Sequence, residues 1–404
     1  FSFNKISEKT LANAKKLNKL CAFLFIDIDN FKNINDYYGH HIGDMVLKEF
    51  ANRLNDVCRS RDVAFRLGGD EFAIITDFIE TESYAGIIAD RIIHSMLKYF
   101  NIPNEQILSS CSIGIAVYPH AATDSNDMMK NADFALYKSK RDGKNKFNYF
   151  TKELDLKVKH ELFIKNNLLK AANNGELYMN YQPIINIKTN SIHAIESLAR
   201  WQSENGFISP DEFIDSAEKN NTIIQIGFML IEKSLEEYAK SNINTKLSIN
   251  VSSEQLALDS NLIEKLNNTV NYYKVQPNKI VLEITESCLI SEIETVKEKL
   301  QKLSDSEIQI AIDDFGTGYS SLSILAKIPF DYLKIDKSFV FNSNTKDGFQ
   351  VLQCIYNVAV GLGKTVIAEG VESAEHVKIL QKMGVYLMQG YFFSKPKAIA
   401  EIKQ

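Results

Sequence analysis

Residues 309–322 read QIAIDDFGTGYSSL, an apolar run that carries two adjacent carboxylates, Asp313 and Asp314, into a loop rich in glycine and hydroxyls. Such a run reads as a buried parallel strand. Its carboxyl end is where ligands and chemistry collect in parallel α/β folds. Two carboxylates forced together repel unless a cation sits between them or one is protonated, and a metal is the reading taken here. Gly316, Thr317 and Gly318 give a backbone that bends, while Ser320 and Ser321 are placed to cap a helix or close over a ligand.

The same kind of strand recurs on both sides of this segment. From Leu177 onward the chain alternates helical stretches with LYMNYQPIINI, HAIESLARW, LSINVS, IVLEITES, QIAIDDFG, YLKIDKSFV, TVIAEGVE and YLMQGYFF, eight units that predict a (β/α)8 barrel. Polar residues rise from these strands: Glu196, Asn250, Glu283, Asp313, Asp314, Lys334, Asp336 and Glu369. A barrel would bring them to one mouth. One acid with one lysine would be an ordinary internal ion pair, but this many oxygen donors around one lysine exceed that account. The set lacks histidine, which disfavours zinc and favours Mg2+ or Mn2+.

A chain of 404 residues exceeds one ordinary core, so at least two domains are expected. The formal net charge of −5 argues against a nucleic-acid polymer or a membrane surface as partner. No apolar run approaches the roughly 20 residues that span a bilayer, and no signal peptide is expected in this stretch. A cytoplasmic fragment is expected, with any sensor or membrane anchor upstream of Phe1. The five cysteines are scattered without CxxC spacing and read as reduced thiols. Residues 147–170 are polar with helical spacing, so a connecting helix is expected, with domains over 1–150 and 151–404.

In the first half, AFLFIDI (residues 22–28) is a strand ending at Asp27 and Asp29, followed by FKNINDYYGHHIGD. Val46, Leu47, Phe50, Leu54 and Val57 recur at helical spacing, and Asp44 alone would read as that helix's cap. Lys32 and Asn35 beside the strand-end acids suit phosphate, a purine edge and a cation. VAFRLGGDEFAIIT (residues 63–76) places two strands around Gly68, Gly69 and Asp70. That is a hairpin signal, and two glycines also let backbone approach a phosphate closely.

RLGGDEF preceded by DIDNFKNINDYYGHHIGD resembles a GGDEF domain, the family of diguanylate cyclases that join two GTP into cyclic di-GMP. The resemblance runs from about Leu20 to Phe147 and implies an α/β domain with a central, mainly antiparallel sheet and flanking helices. It implies that Asp27, the Ile28 carbonyl and Asp70 hold divalent cations with Glu71 assisting, and that Gly68 and Gly69 wrap GTP. Asn35 and Asp44 would read guanine; Lys32, Lys140 and Lys144 would meet the triphosphate. Lysines at a helix carboxyl end also complement its dipole, which is the alternative for the last two. Arg59 and Asp62 resemble the family's product-inhibition site, with a surface ion pair as the alternative. The family usually opens with a DxLTGLxNR segment, which does not stand ahead of this strand, and its dimer alignment is expected to feel that.

ESLAR, SINVS, EITE, DDFGTGYSSL, LKID, AEGVE and QGY, in that order over about Lys170 to Pro396, resemble an EAL domain, the family of phosphodiesterases that hydrolyse cyclic di-GMP to pGpG. The resemblance implies one metal on Glu196, Asn250, Glu283 and Asp313 and a second on Asp313, Asp314 and Glu369. Lys334 would orient the attacking water, Glu369 would be the base with Asp336 beside it, and Glu286 would tether the loop from Asp314 to Leu322. Gln182, Leu198, Arg200, Glu372 and Gln389 would position the substrate. The name-giving triplet is ESL here, and Ser197 is expected to matter little because its strand neighbours face the other way. Trp201 reads as a packing aromatic more than a nucleobase neighbour. Hydrolysis is the expected dominant activity, with GTP as ligand of the first half and a homodimer needed for synthesis. A cyclase regulated by the barrel and a non-catalytic cyclic di-GMP receptor are the alternatives.

Overall fold

The structure, a computed structural model, describes residues 3–103, 105–259, 261–289, 293–316 and 322–403 and divides into two compact units, Phe1–Leu162 and Phe163–Gln404. The connecting helix expected between the halves forms over Lys152–Asn173.

In the first unit the strands are β1 (Leu20–Ile28), β2 (Val63–Gly68), β3 (Glu71–Ile79), β4 (Phe100–Ile102), β5 (Glu105–Ile107), β6 (Cys111–Tyr118) and β7 (Phe147–Tyr149). Five of them form one sheet in the order β2-β3-β1-β6-β7, while β4 and β5 make a separate hairpin. Every pairing in the sheet is antiparallel except β6 with β7. β1 and β6 are apolar almost throughout because both faces are covered. On one face Leu24 and Ile26 meet Phe50, Ile88 and Ile92 from helices His40–Val57 and Ser83–Met96. On the other, Phe23 and Phe25 meet Leu11, Met128 and Leu136 from helices Phe3–Leu17 and Ser125–Arg141. This is the α/β arrangement expected.

In the second unit follow β8 (Leu177–Asn186), β9 (Ser191–Ser203), β10 (Gly206–Ile208), β11 (Lys246–Asn250), β12 (Ile280–Thr285), β13 (Gln309–Phe315), β14 (Tyr332–Ile335), β15 (Thr365–Ala368) and β16 (Leu387–Met388). β8 pairs with both β9 and β16, which closes an eight-stranded barrel; β10 is a short addition to β9. The expected barrel is therefore present, with one feature the strand spacing did not show. β8 runs antiparallel to both neighbours, whereas β9 and β11 to β16 run parallel. The reason is local: only a tight turn separates β8 from β9, and a parallel crossover needs a dozen or more residues. Asn186 Oδ1 accepts the Lys188 N–H at 3.0 Å, and Asn190 takes a left-handed φ of 54° to finish the turn.

Trp201 settles into packing. It is fully buried, lies parallel to the Phe163 ring at 6.2 Å, meets Phe213 edge-on at 6.0 Å, and donates its indole N–H to Glu176 Oε2 at 3.0 Å. Trp201→Ala should cost about 3–5 kcal/mol of stability in chemical denaturation. An unchanged denaturation midpoint would contradict the packing role.

Candidate active site

Side chains alternate across a strand, so residues two apart share a face. Register then aligns Glu196 of β9 with Ser248 of β11, Asn250 of β11 with Glu283 of β12, and Thr285 of β12 with Asp313 of β13. Lys334 rises from β14, and Glu369 follows the last residue of β15. The sequence places these residues on successive strands; the barrel gathers them at the carboxyl ends.

Asp313 and Asp314 are a special case, because a regular pleat would send neighbouring side chains to opposite faces. Between Ile312 and Phe315 the pairing with β14 slips by one residue, and Asp314 adopts φ 53°. This bulge turns both carboxylates toward the mouth. Oxygens of Asp313, Asp314 and Glu369 lie within 4.8 Å of one another.

At the centre is Lys334, fully buried. Its ammonium lies 2.6 Å from Glu283 Oε2, 2.6 Å from Glu369 Oε1, 3.3 Å from Asp313 Oδ2 and 3.6 Å from Glu196 Oε2. Glu196 also accepts hydrogen bonds from Asn250 Nδ2 at 2.7 Å and Gln389 Nε2 at 2.6 Å, and Glu283 accepts one from Ser248 Oγ. Burial alone would lower Lys334, but Asp313, Glu196, Glu283 and Glu369 hold its ammonium well above the ordinary lysine range. Burial pushes Glu283 and Asp313 up, and it raises Glu369 to about 8 against the pull of Lys334. Desolvation and the carboxylates of Asp313 and Asp336 raise Asp314 to about 6, although solvent still reaches its side chain. One ammonium does not neutralise this many carboxylates. The donors nearest one another are all hard oxygens, which fits a divalent cation such as Mg2+ or Mn2+ and not a thiolate or imidazole metal.

The other expected residues divide. Gln389 joins the cluster and also reaches Gln182 Oε1 at 3.2 Å, while its own Oε1 is buried without a hydrogen-bond partner among the described residues. Gly390, next to it, cannot carry a side chain, since a Cβ there would stand 2.1 Å from the Val371 carbonyl. Glu286 Oε2 accepts the Gly316 N–H at 2.8 Å; Thr317, Gly318, Ser320 and Ser321 lie outside the described residues. Asp336 caps helix Lys337–Phe341 by accepting the Ser338 N–H at 3.0 Å. Leu198, Arg200 and Glu372 make no hydrogen bond or ion pair with the cluster among the described residues; Arg200 donates to the Ala199 carbonyl at 2.8 Å. Ser197 turns its hydroxyl to the Ser248 carbonyl at 3.0 Å. Ser248 itself was missed, although its position two residues before Asn250 in SINVS put it on the inward face.

In the first unit, register sets Asp27 opposite Glu71, beside the Gly68–Gly69–Asp70 turn. Gly69 has φ 52° with open space around it, so the turn's conformation is what calls for glycine. Arg66, also missed, holds the turn by donating to the Gly69 carbonyl at 3.0 and 2.8 Å. Lys140 Nζ sits 2.7 Å from Asp27 Oδ2, and burial raises the Asp27 carboxyl despite it. Ile28 is buried, and Lys32 stands exposed on helix Phe31–Tyr38. Lys144 donates to Asn30 Oδ1 at 2.6 Å. Asn35 lies against Gly43, on the helix whose second turn carries Asp44 exposed; Gly39, not Asp44, precedes the first residue of that helix. Asp62 accepts the Arg59 backbone N–H at 2.9 Å, while the Arg59 guanidinium stacks 3.9 Å over the Tyr84 ring. Asp29 is spent structurally on Ser110, Ser112 and the Asn145 N–H.

The family profile described as EAL domain matches residues 165–396, and that of the diguanylate cyclase GGDEF domain matches residues 1–146. Cyclic di-GMP phosphodiesterase PdeR of Escherichia coli (strain K12) is 36% identical over 384 residues, covering 94% of this chain and 58% of the relative. The bifunctional diguanylate cyclase/cyclic di-GMP phosphodiesterase MucR of Pseudomonas aeruginosa is 31% identical over 395 residues, covering 96% and 57%. This chain thus spans less than three-fifths of either relative's length. The PaMucR phosphodiesterase in complex with c-di-GMP superposes with a TM-score of 0.56 at 28% identity, over 59% of this chain and 98% of that one.

Lys334→Met should destabilise the chain by about 3–5 kcal/mol, because Glu283 is left as a buried charge without its partner. Adding Mn2+ should then raise the melting temperature of the variant more than that of the parent, as a second cation takes up the charge. Equal shifts in a thermal melt would contradict the role given to Lys334.

Proposed function

Since the chain belongs to the EAL family, with a GGDEF domain ahead of the barrel, we propose that the barrel hydrolyses cyclic di-GMP to pGpG. The observation that carries this reading is the cluster of Asp313, Asp314 and Glu369 around a mouth whose fixed ammonium is Lys334. Glu196, Asn250, Glu283 and Asp313 on one side, and Asp313, Asp314 and Glu369 on the other, would hold the divalent cations. Bound there, such ions polarise phosphoryl oxygens and make water a better nucleophile at neutral pH.

The chain's own groups do the rest. Glu369 takes the proton of the attacking water through its carboxylate. As the new oxygen–phosphorus bond forms in line, the opposite bond to ribose oxygen breaks and opens the ring. Lys334 stays protonated and stabilises the charge that develops on the phosphoryl group. Gln389 and Gln182, hydrogen-bonded to each other, line the approach where Arg200, Leu198 and Glu372 position the two nucleotides. Glu286 secures the start of the loop that follows Asp314 through Gly316.

The GGDEF unit binds GTP in this proposal and joins two GTP when two chains meet. Asp27, the Ile28 carbonyl, Asp70 and Glu71 hold its cation, Gly68 and Gly69 wrap the phosphates, and Asn35 and Asp44 read guanine. Lys140 now pairs with Asp27, so a cation on Asp27 would free it for the triphosphate along with Lys32 and Lys144. Arg59, stacked on Tyr84, and Asp62 form the inhibitory site.

The chain incubated with Mg2+ or Mn2+ and cyclic di-GMP should yield pGpG on chromatography. Glu369→Ala should slow this by about 10²–10⁴-fold, and unchanged turnover would refute the base. Asp70→Ala should leave hydrolysis intact while removing any cyclic di-GMP made from GTP; a cyclase surviving that change would refute the metal role.

A further inference from the structure

The opposite end of the barrel, where β15 and β16 begin, holds a cavity of about 340 Å³. It is lined by Lys188, His193, Tyr356, Lys364 and Tyr386, among others, and no carboxylate lines it. The volume lies at the lower end of small-molecule pockets, roughly 300–1,000 Å³. Lys188 holds its ammonium 5.1 Å from the centre of the ring of Tyr386, a residue that is 40% exposed. Lys364 is fixed by a hydrogen bond to the Phe330 carbonyl and by the Phe330 ring at 4.6 Å.

Behind them lies a polar floor. His193 Nε2 is 3.3 Å from the Tyr332 hydroxyl, which Lys246 also reaches along with Gln309. Burial and the neighbouring Lys246 lower His193 to about 4, so at neutral pH the ring is uncharged and the lysines supply the positive field. Asp331, whose charge acts on Lys246, keeps one oxygen on the Ile310 N–H at 2.9 Å and is not part of the lining. A concave site with two lysines, a histidine, two tyrosines and no acid favours a ligand that combines an anion with a flat ring.

We propose that this basal cavity is a binding site for a nucleoside monophosphate, its phosphate between Lys188 and Lys364 and its base against Tyr386. The site is separate from the carboxylate mouth and independent of the hydrolysis proposed there. Adenine is the base for the test, since the nucleotides proposed for the other sites carry guanine.

The test is photoaffinity labelling of the full chain with 8-azidoadenosine 5′-monophosphate, followed by peptide mapping. Label should fall on peptides carrying Tyr356 or Tyr386, excess AMP should suppress it, and 8-azidoadenosine without phosphate should label far less. Lys188 stands in an exposed turn, so Lys188→Glu should keep its melting temperature while weakening binding by about tenfold or more, the scale of one charge-assisted hydrogen bond. Lys364→Glu should do the same to binding. Label confined to the mouth or to the first unit would overturn the proposal. So would equal labelling by the phosphate-free probe, or labelling of a folded Lys188→Glu chain at the parent's concentration dependence.

Discussion

The second unit depends on a charge imbalance: one buried ammonium, Lys334, faces Glu196, Glu283, Asp313 and Glu369, with Asp314 beside them. Burying so many like charges is costly, and the fold meets the cost only in part. Ser248, Asn250 and Gln389 satisfy the acids nearest the barrel wall, Glu283 and Glu196. Asp313 accepts the Asp314 N–H at 2.9 Å, and Glu369 lies 2.6 Å from the Lys334 ammonium. The raised pKa values of Asp313, Asp314 and Glu369 express the same fact as the metal reading, since a proton or a divalent cation must supply the missing positive charge. Val281, Ala311, Tyr332, Ile367 and Leu387 pack together as a separate apolar cluster within the barrel.

Much of this was legible because a parallel strand announces itself by its apolar run and its carboxyl end by the polar residues that follow. Glu196, Glu283 and Lys334 each stand inside such a run, where a charge has no ordinary reason to be. The bulge at Asp313–Asp314 was not legible. Adjacent acids on a strand should part, and only the slip against β14 with the left-handed Asp314 explains how both reach Glu369. The reversed direction of β8 was hidden for a similar reason: strand periodicity is the same in either direction, and only the short turn after Asn186 fixes it.

In the first unit the hairpin, the sheet and its helices follow from alternation and helical spacing. Individual side-chain partners do not. Lys140 and Lys144 sit within reach of Asp27 and Asn30, contacts that no linear spacing encodes. Asp44 illustrates the limit of cap rules, because Gly39 with φ 85° already turns the chain into the helix a turn earlier. Trp201 and Ser197, by contrast, behave as the sequence implies: a large aromatic packs, and a residue flanked by two site positions on a strand faces away.

The bulge brings Asp313, Asp314 and Glu369 together as a cation cradle balanced against Lys334. Anomalous diffraction from crystals grown with Mn2+ and cyclic di-GMP tests it most directly. Manganese peaks are expected on either side of Asp313, one toward Asp314 and Glu369 and one toward Glu196, Asn250 and Glu283. Bound dinucleotide with no manganese at these carboxylates, or manganese held elsewhere in the barrel, would contradict it.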